Sequence, residues 1–235
     1  MLSVLALIPA RAGSKGIRDK NIQLIAGKPL LIHSIEHAKK SALINRVIVS
    51  TDSAEYAVVS KAAGAEVPFL RPADISGDQS TDLETFMHAL TWLKDNEGYS
   101  PDICVHLRPT SPYREVRDID AIIQLLLDRP DIDSVRSIAK APATPFKMWF
   151  LGHDDLLEPV VKTDIRDAHN LPRQMLPQAY LQNACIDAVR SSVILNKNSM
   201  TGDKICGYVM EEDLDIDTHE DLHRLEAHFS KRKML

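Results

Sequence analysis

Cysteine is scarce. Cys104, Cys185 and Cys206 are three in 235 residues, and no two share a C-x-x-C spacing. An odd, dispersed set excludes a disulfide framework and points to a reduced, cytoplasmic protein. Long apolar runs are absent too. Leu2 to Ile8 is far too short to span a bilayer and runs at once into Pro9 and Arg11, so neither a membrane anchor nor a signal peptide is expected. Excess positive charge is lacking: the formal net charge is −5, which argues against a nucleic-acid partner. The P-loop pattern G-x-x-x-x-G-K-[ST] and the dinucleotide pattern G-x-G-x-x-G are both missing, which removes those two nucleotide-binding classes. No repeat or low-complexity tract appears.

What is present is an ordinary globular composition, 44% hydrophobic and 26% charged. The length suits one domain over residues 1–235. Strand and helix signals alternate. Leu2–Ile8 reads as a strand buried on both faces. Pro29 opens a helix to about Ala42. Val47–Ser50 is a second strand, and Ser53 caps a helix to about Ala63 that Gly64 ends. Glu66–Leu70 reads as a short third strand. Thr81 with Glu84 is a capping box opening a helix to about Asn96. Ile103–Leu107 is a strand, Asp118 to about Arg129 an amphipathic helix and Ser134–Ala139 a strand. Ala184–Val189 and Ile205–Met210 are further strands, and Thr218 with Asp221 caps a last helix to about Ser230. This alternation specifies a three-layer α/β fold with a mostly parallel sheet.

In such sheets ligands bind at the carboxyl edge of the strands. There the first strand delivers Ala10-Arg11-Ala12-Gly13-Ser14-Lys15-Gly16, then Asp19-Lys20-Asn21. Glycine admits close backbone approach, and Arg11 and Lys15 neutralise charge, which suits a polyphosphate. The alternative is a basic surface turn.

The rhythm breaks over residues 142–182, where five prolines accompany apolar Met148, Trp149, Phe150, Leu151, Leu156 and Leu157. An excursion that leaves the core in this way wants a cover, as a lid or an oligomer arm. The alternative is a loose β-meander folded on its own domain. Near the carboxyl end, Asp215 and Asp217 are two apart, so in a strand they project together while Ile216 points to the core. Paired carboxylates make a hard oxygen site for Mg²⁺. The alternative gives Asp217 to the helix start and Asp215 to a solvated edge. His219-Glu220-Asp221-Leu222-His223 matches H-E-x-x-H, but the extended form fails because Phe229 stands where a third histidine belongs.

Six dispersed elements together resemble the acylneuraminate cytidylyltransferases, relatives of the CMP-Kdo synthetases. They are Ile8–Gly16 with Lys20-Asn21, Ile48–Asp52, Leu70-Arg71-Pro72-Ala73, Pro109-Thr110-Ser111-Pro112 with Arg114, Pro172-Arg173-Gln174 with Leu176-Pro177, and Asp215-Ile216-Asp217-Thr218. The resemblance implies an α/β/α nucleotide-diphospho-sugar transferase-like (Rossmann-like) fold. It implies transfer of CMP from CTP to the anomeric hydroxyl of a nonulosonic acid, with release of pyrophosphate. Kdo-like acceptors, or non-catalytic nucleotide-sugar binding, are the alternatives. By the family pattern Arg11, Lys15, Asp215 and Asp217 are catalytic. Ala10, Arg11, Ala12, Gly13, Ser14, Lys15, Asn21, Arg71, Ser80, Thr81 and Asp82 bind the nucleotide. Arg108, Pro109, Thr110, Ser111, Lys147, Arg173, Gln174 and Asn183 face the sugar, and Asp215 and Asp217 hold Mg²⁺ or Mn²⁺. Residues 142–182 become the arm of a homodimer.

Three features depart from the family pattern, one being that the aromatic pair of some sialic acid enzymes has no clear counterpart around Ser199-Met200. Arg108 stands where sialic acid enzymes usually have Gln, and Asn183-Ala184 where Asn-Gly is common. Arg108→Gln is therefore expected to alter acceptor preference more than CTP affinity. The reading requires that the amino-terminal cations and the carboxyl-terminal aspartates meet in one crevice.

Overall fold

The structure is a computed structural model that describes residues 2–211, 215–216 and 218–232. The first strand, β1 (Val4–Pro9), lies in the middle of a sheet and pairs in parallel with β4 (Arg46–Ser50) on one side and β5 (Ile103–Leu107) on the other. Its alternate residues face opposite layers: Val4, Ala6 and Ile8 join one core, Leu5 and Leu7 the other. Both faces are covered, so the strand needs no polar position.

Between β1 and β4 come a two-residue ladder, β2 (Leu24–Ile25) with β3 (Lys28–Pro29), and helix α1 (Leu30–Lys40). Helix α2 (Ala54–Ala62) follows β4, its first turn closed by Ser53 Oγ accepting from Tyr56 N. The strand expected over Glu66–Leu70 does not form. Glu66 alone bridges Ile48, donating to Val47 O and accepting from Val49 N. The next donor in that ladder is residue 68, and Pro68 has no N–H to give.

Helix α3 (Asp82–Glu97) carries the expected Thr81–Glu84 capping box, then β5 leads to α4 (Val116–Asp128) and β6 (Ser134–Lys140). A hairpin of β7 (Trp149–Leu151) and β8 (Leu157–Pro159) pairs with itself, and all six residues are exposed. Strand β9 (Tyr180–Arg190) begins inside the expected excursion, because Tyr180, Leu181 and Gln182 pair with β6. It runs antiparallel to both β5 and β6. Helix α5 (Ser191–Lys197), edge strand β10 (Ile205–Val209) and α6 (His219–Arg232) complete the chain.

The sheet order is β10-β6-β9-β5-β1-β4, parallel except for β9. One layer packs Leu31 and Ile35 of α1 with Ile119, Ile122 and Leu126 of α4, and the other packs Phe86 and Leu90 of α3 with Val193 and Ile194 of α5. A third cluster joins Ile216 and Leu225 to Ile17, Ile25 and Leu30, which pins the carboxyl-terminal segment beside the amino-terminal loop. No described helix is long and apolar enough to cross a membrane.

Candidate active site

Strand β1 ends at Pro9, and the following backbone is fastened to the next strand. Ala10 N donates to Ser50 O at 2.9 Å, and Ala12 N donates to Asp52 Oδ1 at 2.8 Å. Those two amides are therefore engaged by the protein and are not open to a phosphate. Gly13 then turns through φ 72, a left-handed conformation natural to glycine. Past the turn, the half-buried Ser14 and the exposed Lys15 stand at the surface. Buried Asn21 closes the loop by donating from Nδ2 to Arg11 O at 3.0 Å. Arg11 and Lys15 converge on one carboxylate, Asp78.

Arg11 and Asn21 line a cleft of about 190 Å³ together with Arg71, Ser80, Thr81, Asp82, Pro109 and Thr110. Arg71 forms part of its floor. It is buried, donates to Thr85 Oγ1 and Ser50 O at 3.0 Å each, and burial draws its pKa down. An arginine stays protonated under such a shift. The opposite wall is a chain of ion pairs. Arg108 Nη2 meets Asp82 Oδ2 at 2.9 Å and Nη1 meets Asp187 Oδ2 at 2.9 Å. Burial alone would raise the Asp82 carboxyl, but His106 and Arg108 outweigh it and hold it below the usual range. Arg114 fixes the turn that carries these groups, donating from Nε to Ser111 O at 2.9 Å and from Nη2 to the carbonyls of Arg108 and Ser111.

Two residues belong here that sequence reasoning did not assign. His106 lines the same cleft, fully buried, with its ring against Phe86 and Nδ1 3.8 Å from Asp82. Burial pushes its pKa down to about 4, so the imidazole is neutral at physiological pH. Its position inside an apolar strand gave the only cue. Lys20 Nζ donates to Ile216 O at 2.7 Å. It stood within the quoted Lys20-Asn21 pair but had no role, because its partner lies at the far end of the chain.

That bond brings the two ends together. Ile216 N donates to Thr110 O at 3.0 Å, and Ser111 Oγ donates to Asp215 Oδ1 at 3.1 Å. Ile216 is buried as expected, though residues 215–216 lie in no strand, and Asp215 is half-buried next to the Pro109–Ser111 turn. Asp217 lies outside the described residues.

The remaining expected sugar-side residues do not line this cleft. Arg173 donates to Ala141 O at 2.8 Å and Pro142 O at 3.1 Å, beside a separate small hollow that includes Thr144. Lys147 and Gln174 are exposed. Asn183 is buried, its Oδ1 accepting from Ser137 Oγ at 2.6 Å. His219 and His223 are exposed, and no trio of His, Cys, Asp or Glu among the described residues could hold a metal by itself.

Known proteins supply the comparison. The chain is 36% identical over 138 residues to an N-acylneuraminate cytidylyltransferase of Escherichia coli O18:K1:H7, covering 59% of this chain and 32% of that one. It is 38% identical over 124 residues to a CMP-N,N'-diacetyllegionaminic acid synthase of Legionella pneumophila, covering 53% of each. These matches thus span about a third to a half of the relatives' lengths. A CMP-N,N'-diacetyllegionaminic acid synthase of Campylobacter jejuni aligns over 100% of this chain and 98% of its own, at 27% identity. A CMP:2-keto-3-deoxy-manno-octonic acid synthetase complexed with CTP superposes with a TM-score of 0.73 over 98% of this chain and 99% of that one. At 19% identity, that likeness shows the three-layer α/β fold alone. A family model described as Cytidylyltransferase matches residues 5–224, and with that span the chain belongs to the cytidylyltransferase family.

Proposed function

We propose that this chain transfers CMP from CTP to the anomeric hydroxyl of a nonulosonic sugar acid, with pyrophosphate leaving. One observation carries the reading: the Lys20–Ile216 bond joins the cationic glycine loop to the aspartate segment at the Thr110 wall of the cleft. In-line phosphoryl transfer needs positioning and charge neutralisation more than a protein nucleophile. Arg11 and Lys15 take the polyphosphate charge, and Lys20 ties their loop to the aspartate segment. Arg71, Ser80, Thr81 and Asp82 receive the cytidine, and Asn21 steadies the loop.

The donor chemistry fits a divalent cation. Asp215 is a hard oxygen donor that Ser111 orients, one residue from the backbone bond to Thr110. Asp215, with Asp217, would hold Mg²⁺ or Mn²⁺. Such an ion draws its remaining ligands from water and substrate phosphates. When bound it offsets charge on the α-phosphate and lowers the pKa of the attacking hydroxyl.

On the acceptor side, Arg108 is saturated by Asp82 and Asp187, so we assign it to positioning rather than to the sugar carboxylate. The other expected cations, Arg173 and Lys147, lie outside the cleft and reach that carboxylate only where the bound sugar extends beyond it. The hairpin that follows Lys147 exposes Phe150, Leu151, Leu156 and Leu157, an apolar set suited to a second copy of the chain in a homodimer. Three free cysteines suit a reducing, cytoplasmic compartment. The relatives' names include legionaminic and pseudaminic acid enzymes, so those acids stand beside acetylneuraminate as acceptors to try.

The test is pyrophosphate release with CTP, Mg²⁺ and a panel of nonulosonic acids and Kdo. Turnover of a nonulosonic acid supports the proposal. Turnover of Kdo alone moves the acceptor to the Kdo class. CTP binding without any turnover makes the chain a nucleotide-sugar-binding protein.

A further inference from the structure

The segment opposite the glycine loop is a tight turn. Ser80 N donates to Gly77 O at 3.2 Å, and Gly77 N donates to Ser80 Oγ at 2.9 Å. Asp78 holds the second position of this four-residue turn and points across the loop. Arg11 Nη2 sits 2.9 Å from its Oδ1, and Lys15 Nζ sits 2.5 Å from its Oδ2. Both cations assigned to the polyphosphate therefore grip one carboxylate. A carboxylate that spreads two anionic oxygens between an arginine and a lysine offers what a phosphate offers them.

We propose that Asp78 is an internal stand-in for the polyphosphate: it gathers Arg11 and Lys15 in the free chain and competes with CTP and pyrophosphate for them. The proposal rests on the function proposed above. Its physical logic is a balance of charge. Left alone, Arg11 and Lys15 repel one another, and Asp78 removes that repulsion. A triphosphate brings more charge and more oxygens than one carboxylate, so it displaces Asp78 on binding. Pyrophosphate is left with fewer contacts after the transfer, and the returning carboxylate favours its departure. The ion pairs are solvated, with side-chain exposures of 31% for Arg11, 79% for Lys15 and 37% for Asp78, so each is weak and reversible.

Calorimetric titration of inorganic pyrophosphate into the full chain tests this directly. Asp78→Asn should bind pyrophosphate about three- to tenfold more tightly than the parent at low ionic strength. The gain should shrink as salt rises past the point where the Debye length falls below about 10 Å. Asp78→Ala should act in the same direction, which covers the chance that an asparagine keeps one of the bonds. Equal or weaker binding by both variants overturns the proposal and makes Asp78 a support for the cations. Arg11→Gln serves as the control and should lose pyrophosphate binding. If it binds as the parent does, the glycine loop is not the polyphosphate site, and the proposal falls together with that part of the functional reading. If Arg11→Gln fails to bind while the Asp78 variants gain nothing, only the role of Asp78 falls.

Discussion

Arg108 Nη1 donates to the carbonyl oxygen of Ala184 across 3.1 Å, and Ala184 sits in the left-handed region at φ 51. These are two of the positions at which the chain departs from the acylneuraminate pattern. They are far apart in sequence and touch in space. An alanine in this conformation carries a cost of about 1–2 kcal/mol that glycine escapes. The guanidinium captures the carbonyl that the left-handed residue turns toward it.

Ala184→Gly should therefore relieve strain. Against this stands the greater freedom of glycine in the unfolded chain, about 0.4–1 kcal/mol. The expected net effect is a stabilisation of up to about 1.6 kcal/mol, read from urea midpoints. Ala184→Val should do the opposite, because branching at Cβ worsens the same clash. A glycine variant that is clearly less stable would remove the strain from the account.

Arg108→Gln takes away the nearer of the two cations paired with Asp187, whose side chain is only 3% exposed, and leaves Arg136 at 3.9 Å. Breaking a buried pair outright costs about 3–5 kcal/mol, and Arg136 offsets part of that here. The variant should lose the remainder in unfolding free energy, and Arg108→Gln with Asp187→Asn should recover part of it. CTP affinity should fall as well, since Arg108 also holds Asp82 at the cleft. This revises the expectation that acceptor preference would respond more than CTP affinity. A variant of unchanged stability with only a new acceptor preference would restore the earlier one.

Asp215→Asn keeps an oxygen for Ser111, so the fold should survive with an unchanged thermal midpoint. Turnover should fall about a hundredfold or more, because the amide loses the charge a divalent cation needs. CTP binding without added metal should barely change. Retained turnover would move the metal away from Asp215.

Two histidines, His106 fully buried and His37 half-buried, set an acid limit. Burial pushes His37 down to about 3 and His106 to about 4, from an ordinary value of 6.5. Both are neutral in the folded chain at pH 7, whereas the unfolded chain takes up protons below 6.5. The stability they support is thus present above pH 6.5 and drains as pH falls from there toward 4 and then 3. The slope should approach about 1.4 kcal/mol per pH unit for each histidine. Urea midpoints from pH 7 to pH 5 would show it. His106→Gln should flatten the slope by about one proton, and an unchanged slope would exclude His106 as a source.

The same contrast between local signal and distant contact runs through the fold. The capping boxes at Thr81–Glu84 and Thr218–Asp221 form as read, because a cap joins groups three residues apart. The all-apolar β1 is central because a run without polar positions can only be covered on both faces. The strand misread at Glu66–Leu70 was also a local matter, since Pro68 announced the missing donor.

Residue types and spacing thus determined the three-layer fold, the cationic loop and the burial of Ile216. Those features depend on period, on turn chemistry and on charge, all of which are written locally. Only the folded chain decided that Asp78 bridges Arg11 and Lys15, that Arg108 faces two aspartates and Ala184, and that Lys20 meets Ile216. Each of those pairings joins segments brought together by sheet order and core packing, and hydrogen bonds acting over about 3 Å carry no trace in the linear order of residues.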